Sequence, residues 1–154
     1  GALPEPRHHH SVAFLKGRVY LCGGADPRDD DVKGKSVVVD TTWSFDPVKR
    51  AWFNEGSLNT ARKNFALITS NYTLYAIGGQ DKQGRTLASV ERFQPELGAW
   101  EFQAPLQHPR MGIACSKFRN YIWVAGGMSG SKNNPVSSLV ECYDVKKNQF
   151  PRCF

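Results

Sequence analysis

The chain has 154 residues, of which 40% are hydrophobic and 22% charged, with a net charge of +6 and a pI near 9.3. This composition supports one folded domain and excludes wholesale disorder. Its basic residues are scattered rather than gathered into a run or stripe, which argues against nucleic-acid binding, and no apolar stretch approaches the ~20 residues of a membrane-spanning helix.

Taken in chain order, the sequence reads as short alternating apolar runs punctuated by Gly, Pro, Asn and Asp, the pattern of an all-β protein. The N-terminus, Gly1-Ala2-Leu3-Pro4, lacks the basic and apolar parts of a signal peptide. Arg7 opens a first unit, followed by His8-His9-His10. A predicted strand spans Ser11–Leu15, a turn Lys16-Gly17-Arg18, and a second strand Val19–Cys22, closed by Gly23-Gly24. A polar loop over Ala25–Thr41 leads to a third strand ending at Phe45-Asp46-Pro47, and Trp52 marks a fourth.

Arg62 opens a second unit with strands over Phe65–Thr69 and Leu74–Ile77, a turn at Ser70–Thr73, and Gly78-Gly79. Its loop runs Gln80–Ala88, its third strand contains Val90-Glu91-Arg92-Phe93, and Trp100 marks its fourth. Arg110 opens a third unit with strands over Ile113–Ser116 and Ile122–Ala125, then Gly126-Gly127. Its loop runs Met128–Ser138, its third strand holds Val140-Glu141-Cys142-Tyr143, and Phe150 replaces the trailing Trp.

Each time, fifteen residues separate the arginine from the glycine pair. A fixed spacing recurring at a period of roughly fifty residues is the signature of a repeat architecture. A four-stranded unit of that length cannot bury both of its faces alone, so neighbouring units must stack radially as the blades of a β-propeller.

These residues resemble kelch repeats. The glycine pairs, the Val-Glu-x-aromatic turns, the trailing Trp, and the spacing of Leu58 to Arg62 and Leu106 to Arg110 all match that family's pattern, over essentially the whole chain. The resemblance implies an all-β fold of three four-stranded antiparallel kelch-type blades, part of a six-bladed ring, in one partial propeller domain over 1–154. The blades are expected at 7–57, 62–105 and 110–154. It further implies that Arg7, Arg62 and Arg110, the six glycines, Trp52, Trp100, Glu91 and Glu141 are scaffold. Trp43 stands where the family has Glu, so a buried Glu–Arg contact is expected in the second and third blades and not in the first. Leu3 stands before Arg7 as Leu58 does before Arg62, which makes the start look like the exit of an earlier blade. Ring closure is expected by further blades or by a second copy.

Candidate sites are weighed against plainer readings. The glycine pairs lack the context of a phosphate cradle and read as strand ends. In a strand, His8 and His10 share a face and His9 does not, and no nearby Cys or acid completes a metal set. Asp26 with Asp29-Asp30-Asp31 lacks calcium-loop spacing and reads as a solvated loop. Cys22, Cys115, Cys142 and Cys153 form no CxxC pair, so free thiols in a reducing cytoplasmic setting are expected. Asn71-Tyr72-Thr73 matches a glycosylation sequon but falls in a predicted turn. No catalytic motif is present, so neither enzyme activity nor a cofactor or metal is expected.

Binding is therefore expected on the loops, which a rigid scaffold presents to partners. By position in the motif these are His9, Asn64 and Gly112, two residues past each repeat arginine. With them go Asp26, Arg28, Gln80, Asp81, Lys82, Arg85, Ser129, Lys132 and Asn133 after the glycine pairs. Arg28 and Arg85 have the geometry to grip carboxylates. The family resemblance implies a non-enzymatic protein-binding module, foremost the substrate-recognition part of a BTB-kelch adaptor for a cullin-RING ubiquitin ligase. The alternatives are an actin-binding scaffold and, more remotely, a copper oxidase of the kind that some kelch-like propellers form with Tyr, His and Cys ligands.

Overall fold

Every alternating apolar run named above forms a strand, because branched and aromatic side chains pack well on a pleated surface covered from both sides. The computed structural model describes residues 2–31, 35–133 and 135–151, with the backbone alone described over 28–31 and 35–36. Among the described residues, thirteen strands follow in order. They are β1 (Ser11–Leu15), β2 (Arg18–Cys22), β3 (Ala25–Asp31), β4 (Lys35–Val38), β5 (Thr41–Asp46), β6 (Ala51–Ser57), β7 (Ala66–Ser70), β8 (Thr73–Ile77), β9 (Val90–Gln94), β10 (Ala99–Gln103), β11 (Ala114–Phe118), β12 (Tyr121–Ala125) and β13 (Val140–Asp144). The strands β1-β2-β5-β6 make the first antiparallel sheet and β7-β8-β9-β10 the second, with neighbours in sequence adjacent in space apart from the insertion after β2.

Two expectations change. The Ala25–Thr41 segment is not a plain loop, because β3 and β4 pair there as a separate two-stranded sheet, with Ala25 opposite Val38 and Asp26 opposite Val37. The β-branched run Val37-Val38-Val39 supplies the strand propensity that the acidic stretch before it obscured. In the third unit, the described residues form a three-stranded sheet, β11-β12-β13. Where the fourth strand is expected, the described residues show one bridge, between Asp144 and Gln149.

The core lies between sheets. Along β8, Leu74 and Ala76 pack toward the first blade, against Tyr20, Cys22 and Leu15. The alternate residues Tyr75 and Ile77 pack toward the third, against Ile122, Val124 and Tyr143. Period-two alternation with both faces covered explains why all of β8 is buried. An aromatic pair recurs at the base of each blade, Phe45–Trp52, Phe93–Trp100 and Tyr143–Phe150, each with ring centroids 5.1 Å apart. Phe150 thus takes the tryptophan's place without changing the contact. At the two ends of the arc the matching faces are open. Val90 is fully buried between blades, whereas Val140, its counterpart one blade on, is 44% exposed, and Val12 in β1 is 51% exposed.

The first glycine of the first two pairs sits where the next blade comes closest. Gly23 and Gly78 have φ of +57° and +62°, and a Cβ on either would stand 2.5 or 2.4 Å from the carbonyl oxygen of the next repeat arginine, Arg62 or Arg110. Gly112 has the same φ, +62°, but open space around it. Gly78→Ala is therefore expected to cost ~3 kcal/mol or more, and Gly112→Ala only ~1 kcal/mol for the left-handed backbone alone. Urea unfolding of the two variants measures the difference; equal losses would show that the close approach is unimportant.

Candidate partner-binding face

The loops of one end of the arc are held by the repeat arginines. Arg62 is fully buried. Its guanidinium donates to the carbonyls of Gly78 (2.9 Å) and Ser89 (3.0 Å), to the Ser89 hydroxyl (3.0 Å) and to the Glu91 carboxylate (2.5 Å). Glu91, also fully buried, further accepts the backbone N–H groups of Asn59 (2.7 Å) and Thr60 (3.1 Å). Burial draws the Arg62 guanidinium down from its ordinary value, while the Glu91 charge and hydrogen bond work against that. Arg110 repeats the arrangement with Gly126, Leu139 and Glu141, and Glu141 accepts from the backbone of Gln107 and His108.

The first blade solves the same problem differently. Trp43 lies opposite Leu21 in β2, as Glu91 lies opposite Ala76 and Glu141 opposite Val124, so it occupies the carboxylate's register position. Glu5 supplies the missing carboxylate from two residues upstream, bonding the Arg7 guanidinium directly. Arg7 also donates to the carbonyls of Gly23 (3.1 Å) and Thr41 (3.2 Å) and to the Thr41 hydroxyl (2.5 Å). Pro4, three residues before Arg7, stands where Asn59 and Gln107 present an N–H to the carboxylate. A proline has no N–H, so the first blade lacks both that donor and its acceptor. The expectation of no Glu–Arg contact in this blade thus holds only for the residue at position 43. Sequence reasoning missed Glu5, whose only signal is a Glu-x-Arg spacing.

Backbone bonds then fix the face. The Gly24 N–H donates to the Arg62 carbonyl and the Gly79 N–H to the Arg110 carbonyl, both at 2.8 Å, linking each blade to the next. The residues two past each arginine form a second link: the Asn64 N–H donates to His9 (3.1 Å) and the Gly112 N–H to Asn64 (2.7 Å). His9, Asn64 and Gly112 all have φ between +53° and +62°. Bridges from His8 to Ala25, Lys63 to Gln80 and Met111 to Met128 staple each incoming segment to the loop after its glycine pair. The His8–His10 segment is therefore not a strand. His9 turns left-handed, and the His8 and His9 rings meet edge-on at 4.6 Å instead of pointing apart.

The predicted contact residues divide. Gln80, Arg85, Ser129 and Lys132 come together along a groove of about 510 Å³ between the loops of the second and third blades. Met111 and Met128 also line it, and sequence reasoning missed both, although each directly follows a repeat arginine or glycine pair. Lys82 and Asn133 are exposed beside it. Asp81 is nearly buried and turned inward, accepting the Arg85 N–H (2.9 Å), the Gln83 N–H (2.9 Å) and the Arg85 Nε (2.7 Å). Burial alone would raise the Asp81 carboxyl, but these hydrogen bonds and the Arg85 charge outweigh it and hold the carboxyl below the usual carboxylate range. Arg85 is thus already committed through Nε to an internal carboxylate, while its side chain remains 75% exposed. Asp26 is buried in β3, not displayed on a solvated loop. The side chains of Arg28 and Asp29–Asp31 lie outside the described residues.

The free thiols among the described residues are not reactive groups. Burial pushes Cys22 and Cys115 up to about 12, so both stay protonated at neutral pH. Both are free, but Cys142 is disulfide-bonded, contrary to the expectation of free thiols throughout. Cys153 lies outside the described residues. Among the described residues no helix is long and apolar enough to cross a membrane.

The family profile described as Kelch motif matches residues 6–59, 61–107 and 109–150. Alpha-scruin of Limulus polyphemus is 36% identical over 94% of the chain, and Kelch-like protein 36 of Mus musculus is 30% identical over 93%. The chain spans 16% and 22% of those two proteins' own lengths. The solved structure of YjhT superposes with a TM-score of 0.84 over 98% of this chain and 53% of its own, at 15% identity, a likeness of fold.

The two ways of pairing an arginine predict different costs. Glu91→Ala leaves a fully buried guanidinium without its carboxylate and is expected to destabilise by about 3–5 kcal/mol. Glu5→Ala also leaves a buried arginine side chain without its carboxylate, but Glu5 itself is 32% exposed, so water reaches the vacated place and the expected cost is smaller, about 1–3 kcal/mol. Denaturant unfolding of both variants checks the ranking.

Proposed function

The chain belongs to the kelch-repeat family, and from that premise we propose that it is a non-catalytic protein-binding module whose glycine-pair face receives a segment of a partner protein. The observation that carries this reading is the groove between the second and third blades. Four of the predicted contact residues meet in it, and its two loops hang on a backbone network fixed from beneath. Such a loop pair is preorganised, which lowers the ordering cost of binding.

The finer reading is a substrate-recognition module of a BTB-kelch adaptor for a cullin-RING ubiquitin ligase. The face captures the substrate, and the remainder of a longer protein brings the ligase. The similarity to Kelch-like protein 36 supports it. We place this function in the cytoplasm; the free thiols of Cys22 and Cys115 fit that setting and the disulfide of Cys142 weighs against it. The exposed outer faces of the first and third blades are assigned to ring closure, by further blades or by a second copy. An actin-binding scaffold is kept as a second reading. The scruin relative matches at higher identity than the kelch-like one, so similarity does not single out the adaptor branch.

Affinity purification of the full-length protein separates the two. Recovery of a cullin-RING subunit is expected, and its absence together with co-sedimentation on filamentous actin would favour the scaffold. Arg85→Ala and Asn64→Gly are expected to weaken partner binding about fivefold or more while leaving the fold intact, because Arg85 is exposed and glycine tolerates the positive φ of residue 64. Unchanged affinity in both variants would move the site away from this face.

A further inference from the structure

The opposite end of the arc carries a feature that neither the repeat nor the loop face explains. There, short turns join the two inner strands of each blade. In the first blade the turn is Lys16-Gly17, with φ of +46° and +82°, and in the second it is Asn71-Tyr72, with +47° and +60°. Two consecutive positive φ values define a tight hairpin turn that strongly favours glycine at its second position. The first blade has Gly17 there. The second has a tyrosine, for which a left-handed backbone is a genuine outlier.

Among the described residues nothing offsets that strain. Tyr72 is 83% exposed and lies in neither core cluster. It stands as a ridge between two depressions. On one side, a hollow of about 600 Å³ is lined by Phe14, Lys16, Ser70 and Lys117 among others. On the other, one of about 470 Å³ is lined by Arg92, Pro95 and Leu97, and shares Lys16, Asn71 and Tyr72 with the first. Phe14 is 63% and Leu97 74% exposed. The Ser70 hydroxyl is buried at the first hollow with no hydrogen-bond partner among the described residues.

The lining of this surface is mainly basic. Lys16, Lys117 and Arg92 line the two hollows with one carboxylate, Glu96, which stands 3.7 Å from Lys16 with both side chains largely exposed, and a second, Glu101, stands beside them opposite Arg92. Exposed apolar and aromatic groups flanked by cations complement an extended segment that alternates carboxylates with apolar side chains. A strained, exposed residue points to function when the surrounding structure over-determines its backbone, and tyrosine is among the residues that dominate interface energetics.

We propose that Tyr72 anchors a second docking surface, at the end of the blades opposite the glycine-pair loops, for an acidic peptide segment bearing apolar side chains. The surface shares no residue with the loop groove, and the proposal does not depend on the loop-face reading.

Fluorescence anisotropy on the full-length protein tests it, with a labelled peptide of three Glu-Leu-Glu-Glu repeats as probe and the same peptide with Ser for Glu as control. The acidic peptide is expected to bind more tightly than the control, with an affinity that falls as salt is added. Tyr72→Gly is expected to weaken it about tenfold or more without lowering the melting temperature, since glycine relieves the left-handed strain. Replacing Lys16 and Lys117 together by Ser is expected to flatten the salt dependence, and Arg85→Ala to leave binding unchanged. Equal binding of the two peptides, wild-type affinity in Tyr72→Gly, or loss of binding in Arg85→Ala alone would each overturn the proposal. The last result would relocate the acidic segment to the loop face.

Discussion

Everything in this structure hangs on a buried arginine used twice. Its guanidinium holds the glycine carbonyl and third strand of its own blade, and its backbone carbonyl accepts the glycine N–H of the blade before. One residue therefore fixes the interior of one blade and the junction with its neighbour. A guanidinium suits this because its planar fork reaches several acceptors at once, which a lysine ammonium cannot do with the same geometry. Its burial requires a carboxylate, and that demand is met by different residues in different blades. Glu91 and Glu141 meet it from the third strand, and Glu5 meets it from the incoming chain. The constraint is the charge pair, and the position of the acid is free to move.

This explains what was legible in the sequence. The glycine pairs, the arginines and the trailing aromatics recur because each has a steric or electrostatic task that permits few substitutes. From them follow the blade strands, their order and the core alternation of β8. Non-repeating features were harder to read. Glu5 was invisible because its contact depends on Trp43 and Pro4 both departing from the pattern. The β3–β4 hairpin was hidden by an acidic stretch that reads as solvated loop, although Val37-Val38-Val39 marks a strand. Asp81 and Arg85 were each read as facing a partner, yet they face one another, and spacing alone does not tell an internal pair from an exposed one.

The division of labour is physical. Backbone hydrogen bonds run from blade to blade through His9, Asn64 and Gly112, where positive φ turns the chain. These links are made by backbone groups, so they do not require a particular side chain at those positions. The same logic applies at the other end, where Gly17 and Tyr72 occupy one turn position with opposite consequences for strain and exposure. Scaffold and recognition are thus separated by only a residue or two along the chain, and motif spacing marks the first more clearly than the second.

The central claim is that each repeat arginine organises two blades and the loops above them. Hydrogen exchange on an Arg110→Lys variant tests this most directly, because lysine keeps the charge and loses the fork. The account predicts that amide protection falls at Gly79 in the second blade and at Met128 in the groove loop, while the β1–β2 amides of the first blade stay protected. Unchanged protection at Gly79 and Met128 would contradict it.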